Sequence, residues 1–304
     1  MRIVVITGED FESPWQRYML WLIHKHFGLA GIVTTHRRHR QGHVRRYVRL
    51  IQKRGLIPGL GEIVGIIPNT IFTRLVWSKV ERHLLALTPM QPFKDVPVID
   101  GGLLNSRQCV DTIRLLRPDV LYQCGAGIIK SVTFNAARGG MVNLHHGIIP
   151  QIRGCSSALW AVRQLRPDWL GVSAHMVDEG IDTGSLLAQG SPGIRKGQSL
   201  AQVLTQLQIF GGEVLMQAFE YLSQGRQAVP APGGITSVYR SRLTIWDWLV
   251  LAVRRRRFLR MVRGSPKKLA VGAYLREDTL NHLVINKIYR NHHAVEDSVY
   301  QDGA

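Results

Sequence analysis

Three polar side chains stand where this sequence could move an acyl group. Asn143 and His145 lie in Asn143-Leu144-His145, and Asp182 lies in Asp178-Glu179-Gly180-Ile181-Asp182-Thr183-Gly184. The first two close an apolar run from Gly140 to His145. Side chains alternate along a strand, so residues two apart share a face, and Asn143 and His145 should project together. An amide can donate to an oxyanion, an imidazole can move a proton, and a carboxylate on a glycine-flanked turn can orient the imidazole or manage a water. Together these meet the needs of acyl transfer to an amine. Asp182 follows His145 by 37 positions (182 − 145), so only a fold that brings two loops together can make them partners.

Short apolar runs with helical stretches between them supply such a fold. Strands are expected at 2–7, 30–35, 96–100, 119–124, 140–145, 171–177 and 186–189, several of them continuous Val/Ile runs of the parallel-sheet kind. Helices are expected at about 13–27, 105–116, 156–165 and 199–223. This alternation predicts an α/β fold with a doubly wound, mostly parallel sheet. Ligands in such sheets bind at the carboxyl ends of strands, where Asn143 and His145 fall. The rhythm breaks between about 36 and 90, read as an insertion with a basic part (Arg37 to Arg54) and an apolar, helical part (Ile71 to Leu87). Pro230-Ala-Pro-Gly-Gly234 reads as a linker. The division is therefore a catalytic domain over 1–228 and a small basic extension over 229–304.

The chain of 304 residues has 39 Lys+Arg against 21 Asp+Glu, a net charge of +18. Such a charge speaks of partners rather than fold: phosphate-bearing substrates, nucleic acid and anionic lipid all fit. Cys109, Cys124 and Cys155 are few, odd in number and widely spaced, which excludes a disulfide framework or zinc ribbon and suits a reducing compartment. Met1-Arg2-Ile3 runs straight into a strand with no leader pattern, and no apolar run approaches a membrane span, so a cytoplasmic protein is expected. His36, His39 and His43 have metal-like spacing but sit among arginines with no carboxylate or cysteine near them in sequence. They read as a charged loop, and no metal is expected.

The blocks from Asp119 to Gln189 resemble, in order and spacing, the folate-dependent formyltransferases: Gly125-Ala-Gly-Ile-Ile129, Asn143-Leu-His145, Pro150-Gln-Ile-Arg-Gly154, Ser173-Ala-His175 and Asp178 to Gly184. That family includes methionyl-tRNA formyltransferase, glycinamide ribonucleotide transformylase and the sugar-nucleotide N-formyltransferases. The resemblance implies a Rossmann-type formyltransferase domain with Asn143, His145 and Asp182 catalytic. It implies 10-formyltetrahydrofolate as co-substrate, held by Gly125, Ala126, Gly127, Ile128 and Ile129 and by His175, Val177, Asp178 and Gly180. Arg153 and Gly154 would meet the acceptor. Each flanking residue also has a plainer reading: His175 as a loop support, Asp178 as a turn cap, Arg153 as a loop brace. Pro150-x-x-Arg153-Gly154 is closer to the tRNA and sugar-nucleotide enzymes than to the purine enzyme. Where the family often has Ser-Leu-Leu-Pro, this chain has Gly147-Ile-Ile-Pro150 after His146, which removes a local hydrogen bond. The region beyond Pro230 does not resemble the β-barrel tail of the tRNA enzyme.

The expected reaction is formyl transfer to a primary amine on a nucleotide-linked amino sugar or similar anionic small molecule. A tRNA is kept as a second acceptor. The pair His145-His146 is similar to that of formyltetrahydrofolate deformylase, so hydrolysis of the same donor is the alternative. A third reading is a basic RNA- or membrane-binding protein on a formyltransferase-like scaffold. Residues 243–263, with two tryptophans and the run Arg254 to Arg257, would then either make a peripheral membrane contact or dock on the main domain with the arginines in water.

Overall fold

Ile3–Gly8 (β1) sends its side chains alternately into two cores, which is what a run of Val and Ile achieves only when both sheet faces are covered. In the computed structural model, residues 1–9, 13–36, 77–89, 93–231 and 234–274 are described, with Gln52 and Arg74 singly. Most of the basic insertion, including His39 and His43, and the chain beyond Tyr274 lie outside the described residues.

After β1 come helix α1 (Pro14–Phe27), strand β2 (Leu29–His36), a helix α2 over 77–87, strand β3 (Val98–Leu103), helix α3 (Arg107–Leu115) and strand β4 (Val120–Cys124). A short helix α4 (Ser131–Phe134) leads to β5 (Met141–His145), β6 (Ile152–Gly154), α5 (Ser157–Gln164), β7 (Val172–Met176) and β8 (Leu186–Ser191). Helix α6 (Leu200–Ser223), strand β9 (Val238–Arg240), helix α7 (Ile245–Val262) and strand β10 (Lys268–Val271) complete the order.

The main sheet runs β10-β8-β7-β5-β4-β1-β2-β3. The five strands from β5 to β3 are parallel, and β7, β8 and β10 are joined by antiparallel pairings. The sheet is thus mixed, with the parallel part the larger. The chain builds outward from β1 in one direction, then returns to lay β4 and β5 on the other side. The crevice between β1 and β4 is the switch in strand order. Gly125 starts the loop there and bridges to Thr7.

Alternation divides the core. Ile3, Val5, Ile32, Val120, Tyr122, Val142 and Leu144 face α1 and α6 with Met19, Ile23, Phe210 and Phe219. Val4, Ile6, Val33, Leu121 and Met141 face the other way, onto Cys109, Ile113 and Phe134. Helix α6 starts on a reciprocal cap between Ser199 and Gln202. From the insertion, Val80 and Leu84 of α2 are fully buried in the first of these cores.

The segment after Pro230 is more regular than its sequence suggests. β9 pairs with β6 in a separate two-stranded parallel ribbon, and β10 becomes the edge of the main sheet against β8. Strands of three or four residues carry too little periodicity to be read in isolation; their partners define them. Helix α7 docks by one face. Thr244 and Asp247 cap it reciprocally, Asp247 Oδ1 accepts from Arg163 Nε at 2.9 Å, and Arg254 Nη1 donates to Arg163 O at 2.8 Å. Residues 1–274 form one compact unit.

Candidate active site

Strand β5 ends the parallel half of the sheet, and its odd-numbered residues 141, 143 and 145 point away from α6. Antiparallel pairing with β7 sets Asn143 opposite His175 and His145 opposite Ser173. The β7–β8 connection, residues 177–185, then folds back over these side chains and delivers Asp182. This residue adopts φ +53°, a left-handed turn conformation that Asp tolerates better than most residues.

The carboxylate of Asp182 joins the group. Oδ2 lies 3.3 Å from His145 Nδ1 and accepts from the Gly154 backbone nitrogen at 2.8 Å. Oδ1 accepts from Asn143 Nδ2 at 3.3 Å. Asn143 Nδ2 also lies 3.1 Å from His175 Nε2. His175 Nδ1 is 2.8 Å from the Met176 carbonyl, which can only accept, so Nδ1 carries a hydrogen and the neutral ring offers Nε2 as acceptor to Asn143. Both amide hydrogens of Asn143 are then engaged, which fixes its orientation: the flipped amide would set its oxygen against a carboxylate.

His145 is buried, and its Nε2 lies 3.2 Å from Ser157 Oγ and 3.2 Å from the Ile152 carbonyl. Burial pushes its pKa down, against the pull of Asp182 upward. A neutral ring has one N–H for two acceptors, Asp182 at Nδ1 and the Ile152 carbonyl at Nε2; the ionised carboxylate is the stronger acceptor and takes it, leaving Nε2 to accept from Ser157 Oγ. Burial would raise the Asp182 carboxyl, but the His175 and His145 rings beside it and the Gly154 N–H outweigh it and hold the group well below the usual carboxylate range. The resting pair is therefore an ionised Asp182 and a neutral His145.

His146 faces the opposite way, as alternation requires. It is half-buried toward Gly211 of α6, its Nε2 is shielded from solvent with no hydrogen-bond partner among the described residues, and burial followed by the nearby His145 pushes its pKa down to about 4. The two adjacent histidines do not form a working pair.

The remaining expected residues surround this centre. Gly125 and Gly127 have positive φ in the loop after β4, where Gln123 Nε2 donates to Gly127 O and Asn105 Nδ2 to Ile128 O. Ala126 and Ile129 are buried with Val177 packed against their cluster, while Ile128 is exposed. The 125–129 loop and the start of the 177–185 loop thus share one core. Asp178 Oδ1 accepts from Gly180 N and from Thr183 Oγ1 at 2.6 Å, holding the turn that presents Asp182. Arg153 braces the same loop, donating from Nη1 to Ile181 O and from Nε to Ser237 Oγ at 2.7 Å. Gly154 admits no side chain: a Cβ would stand 2.1 Å from Arg240 O, and φ is +98°.

Several contributors had no signal in the sequence. Ser157, at the first turn of α5, bonds His145. Ser173 and Gln189 hold the turn after His146 through Gly147 O, Ile149 N and Ile149 O, supplying from neighbouring strands the support that a local Ser would give. A cavity of about 270 Å³ opens against Asp182, lined also by Ile149, Pro150, Arg153, Ser237 and Tyr274. Tyr274 Oη is buried there without a partner among the described residues. Outside the site, His36 is not without carboxylates as its sequence neighbours suggest: adjacent strands bring Glu9 to 2.5 Å and Asp100 to 3.0 Å. Among the described residues, no cluster of three His, Cys, Asp or Glu could hold a metal ion.

Comparison with known proteins places this constellation in context. Residues 85–219 match the family described as Formyl transferase. A methionyl-tRNA formyltransferase of Anaeromyxobacter sp. (strain K) is 30% identical over 133 residues, 43% of this chain and 42% of that protein. One of Myxococcus xanthus is 31% identical over 141 residues, 46% of this chain and 45% of that protein. The chain spans less than half the length of these curated relatives. A solved sugar N-formyltransferase from a Shewanella species aligns with a TM-score of 0.48 at 16% identity, over 91% of this chain and 94% of that one. The segment that matches the formyl transferase family, residues 85–219, is the one that carries Asn143, His145 and Asp182.

Proposed function

We propose that this protein transfers the formyl group of 10-formyltetrahydrofolate to a primary amine, and that Asn143, His145 and Asp182 carry the reaction. The observation that supports this most is the placement of Asp182: one carboxylate contacts the amide of Asn143 and the imidazole of His145 while also lining the cavity. In the proposed reaction the amine attacks the formyl carbon, a new C–N bond forms, and the carbonyl oxygen becomes an oxyanion. Collapse breaks the bond to the folate nitrogen, which leaves with a proton as tetrahydrofolate. Asp182 is the group open to the cavity, with His145 behind it, so Asp182 receives the proton shed by the attacking nitrogen, directly or through one water. Protonation weakens its hold on Asn143 Nδ2, which turns to the oxyanion. His145 steadies the carboxylate and shares its charge.

In this reading the folate lies along Gly125 to Ile129 and the Val177 to Gly180 turn, with His175 positioning Asn143. The acceptor enters beside Arg153, Gly154 and Tyr274. An amine on an anionic small molecule, such as a nucleotide-linked amino sugar, suits a cavity of this size with a guanidinium at its wall and a strongly basic chain around it. The working division, a catalytic part over 1–228 and an extension from 229, belongs to the same proposal, with Ser237 and Tyr274 of the extension lending walls to the acceptor site. Hydrolysis of the donor loses its motive, because His146 faces α6 rather than the site.

The test is turnover of 10-formyltetrahydrofolate with nucleotide amino sugars, with charged methionyl-tRNA and with no acceptor, reading tetrahydrofolate by absorbance and formamide product by mass. Release of formate without acceptor supports hydrolysis instead. Bound folate with no turnover in any arm overturns transfer. Asn143→Ala should lower turnover by a factor of about a hundred or more, the usual cost of one oxyanion donor.

A further inference from the structure

Helix α7 turns two unlike faces outward and inward. Trp248, Leu251, Phe258 and Val262 are buried against the body of the protein. On the opposite side Trp246, Leu249 and Val253 are 69%, 48% and 81% exposed. At about 100° per residue these three share an arc of roughly 100° with Arg256, Arg257 and Arg260. The arc is apolar over the first two turns and cationic over the next two, and Arg263 borders it at the C-terminal end, exposed. None of these four arginines is in an ion pair among the described residues. Single exposed apolar residues are ordinary on a protein surface. A tryptophan, a leucine and a valine on consecutive turns of one stripe are not.

We propose that this stripe is a contact surface for an anionic lipid bilayer. The helix is fixed at its other face by the Thr244–Asp247 cap and the Arg163 contacts, so it presents the stripe ready-formed and need not order on binding. No described helix is long and apolar enough to cross a membrane, so α7 lies in the interface plane. Trp246, Leu249 and Val253 enter below the headgroups, where an indole is at home, and the arginines reach back to lipid phosphates along their apolar stems. Charge selects the occupant. An RNA would pair with the arginines but leave the three apolar side chains in water. A second copy meeting this stripe about a two-fold axis would set each arginine cluster against its twin or over the partner's apolar half, and neither pairing neutralises it. An anionic bilayer satisfies both halves. The inference stands apart from formyl transfer, since none of these residues belongs to the proposed active site.

The experiment is co-sedimentation of the full chain with vesicles of phosphatidylcholine alone and of phosphatidylcholine mixed with phosphatidylserine. Binding is expected only to the mixed vesicles and should weaken as salt rises. The variant Arg256→Gln/Arg257→Gln/Arg260→Gln should bind about a hundredfold less, at roughly fivefold per arginine. The variant Trp246→Ser/Leu249→Ser/Val253→Ser keeps every charge and should bind at least about tenfold less, from lost apolar burial. All six positions are exposed, so far-ultraviolet dichroism and melting of both variants should match the parent, as should folate turnover without vesicles. Failure of the parent to sediment overturns the proposal, and so does undiminished binding by either variant. Gel shift with tRNA that only the arginine variant loses, without vesicle binding, would reassign the surface to RNA. A dimer in light scattering that only the apolar variant loses, again without vesicle binding, would reassign it to a second copy.

Discussion

Asp182 Oδ2 stands 3.3 Å from His145 Nδ1, across 37 positions of sequence, with the Gly154 N–H as a second donor to the same oxygen. The carboxylate is ionised and the imidazole neutral, so the contact is a charge-assisted hydrogen bond.

Asp182→Asn removes the proposed proton acceptor that lines the cavity while keeping the shape of the side chain. Folate turnover should fall by a factor of about 100 to 10,000, the usual range for a positioned acid–base group. Steady-state kinetics with the best acceptor measures it, and a variant within threefold of the parent would remove Asp182 from the proposed chemistry.

Ser157→Ala removes the hydroxyl that donates to His145 Nε2 and favours the neutral ring. Stability should drop by about 1 kcal/mol, the typical net worth of one such bond. Without the donor, His145 takes a proton at higher pH, so the acidic limb of the kcat/KM profile should move upward while the alkaline limb stays in place. An unmoved profile would mean that the hydroxyl does not tune the ring.

His146 governs acid stability. Its folded pKa of about 4 lies below the ordinary value of 6.5, so the unfolded chain binds the extra proton. The contribution is therefore complete above pH 6.5 and is lost as pH falls toward 4, by roughly 3 kcal/mol in all. His145, also held low by burial, adds in the same direction. In His146→Leu, urea titrations from pH 7 to 4 should show a flatter decline, with stability at pH 7 kept or improved because an unpaired buried nitrogen is gone. A decline as steep as the parent's would contradict the assignment.

Gly154→Ala should be severe. The added carbon meets Arg240 O and forces an unfavourable backbone angle at the residue whose N–H binds Asp182. A loss of about 3 kcal/mol or more is expected in chemical denaturation, together with loss of turnover in whatever fraction stays folded.

The shared face of Asn143 and His145 was legible because it depends on a local rule. Residues two apart on a strand share a side, so Asn143 and His145 project together and His146 turns away, as the spacing required. Strands β1 to β5, β7 and β8 and helices α1, α3, α5 and α6 stood out as Val/Ile runs and amphipathic stretches, whereas β6 did not. The partners of these elements did not. That Asn143 lies opposite His175 depends on an antiparallel return, and apolar strand sequences look much alike in either direction. Ser157, Ser173, Gln189 and Tyr274 are ordinary polar residues whose importance comes only from what they touch.

The sequence by itself determined the building blocks, the basic charge, the likeness to formyltransferases and the shared face of Asn143 and His145, because periodicity and residue chemistry act over a few neighbours. Only the tertiary structure decided that the 177–185 loop sets Asp182 between them, that β10 closes the sheet edge, and that α7 hides Trp248 while exposing Trp246. Those outcomes rest on contacts between residues tens of positions apart, fixed by close packing and by the requirement that buried polar groups find partners, and neither condition is written into any short stretch of chain.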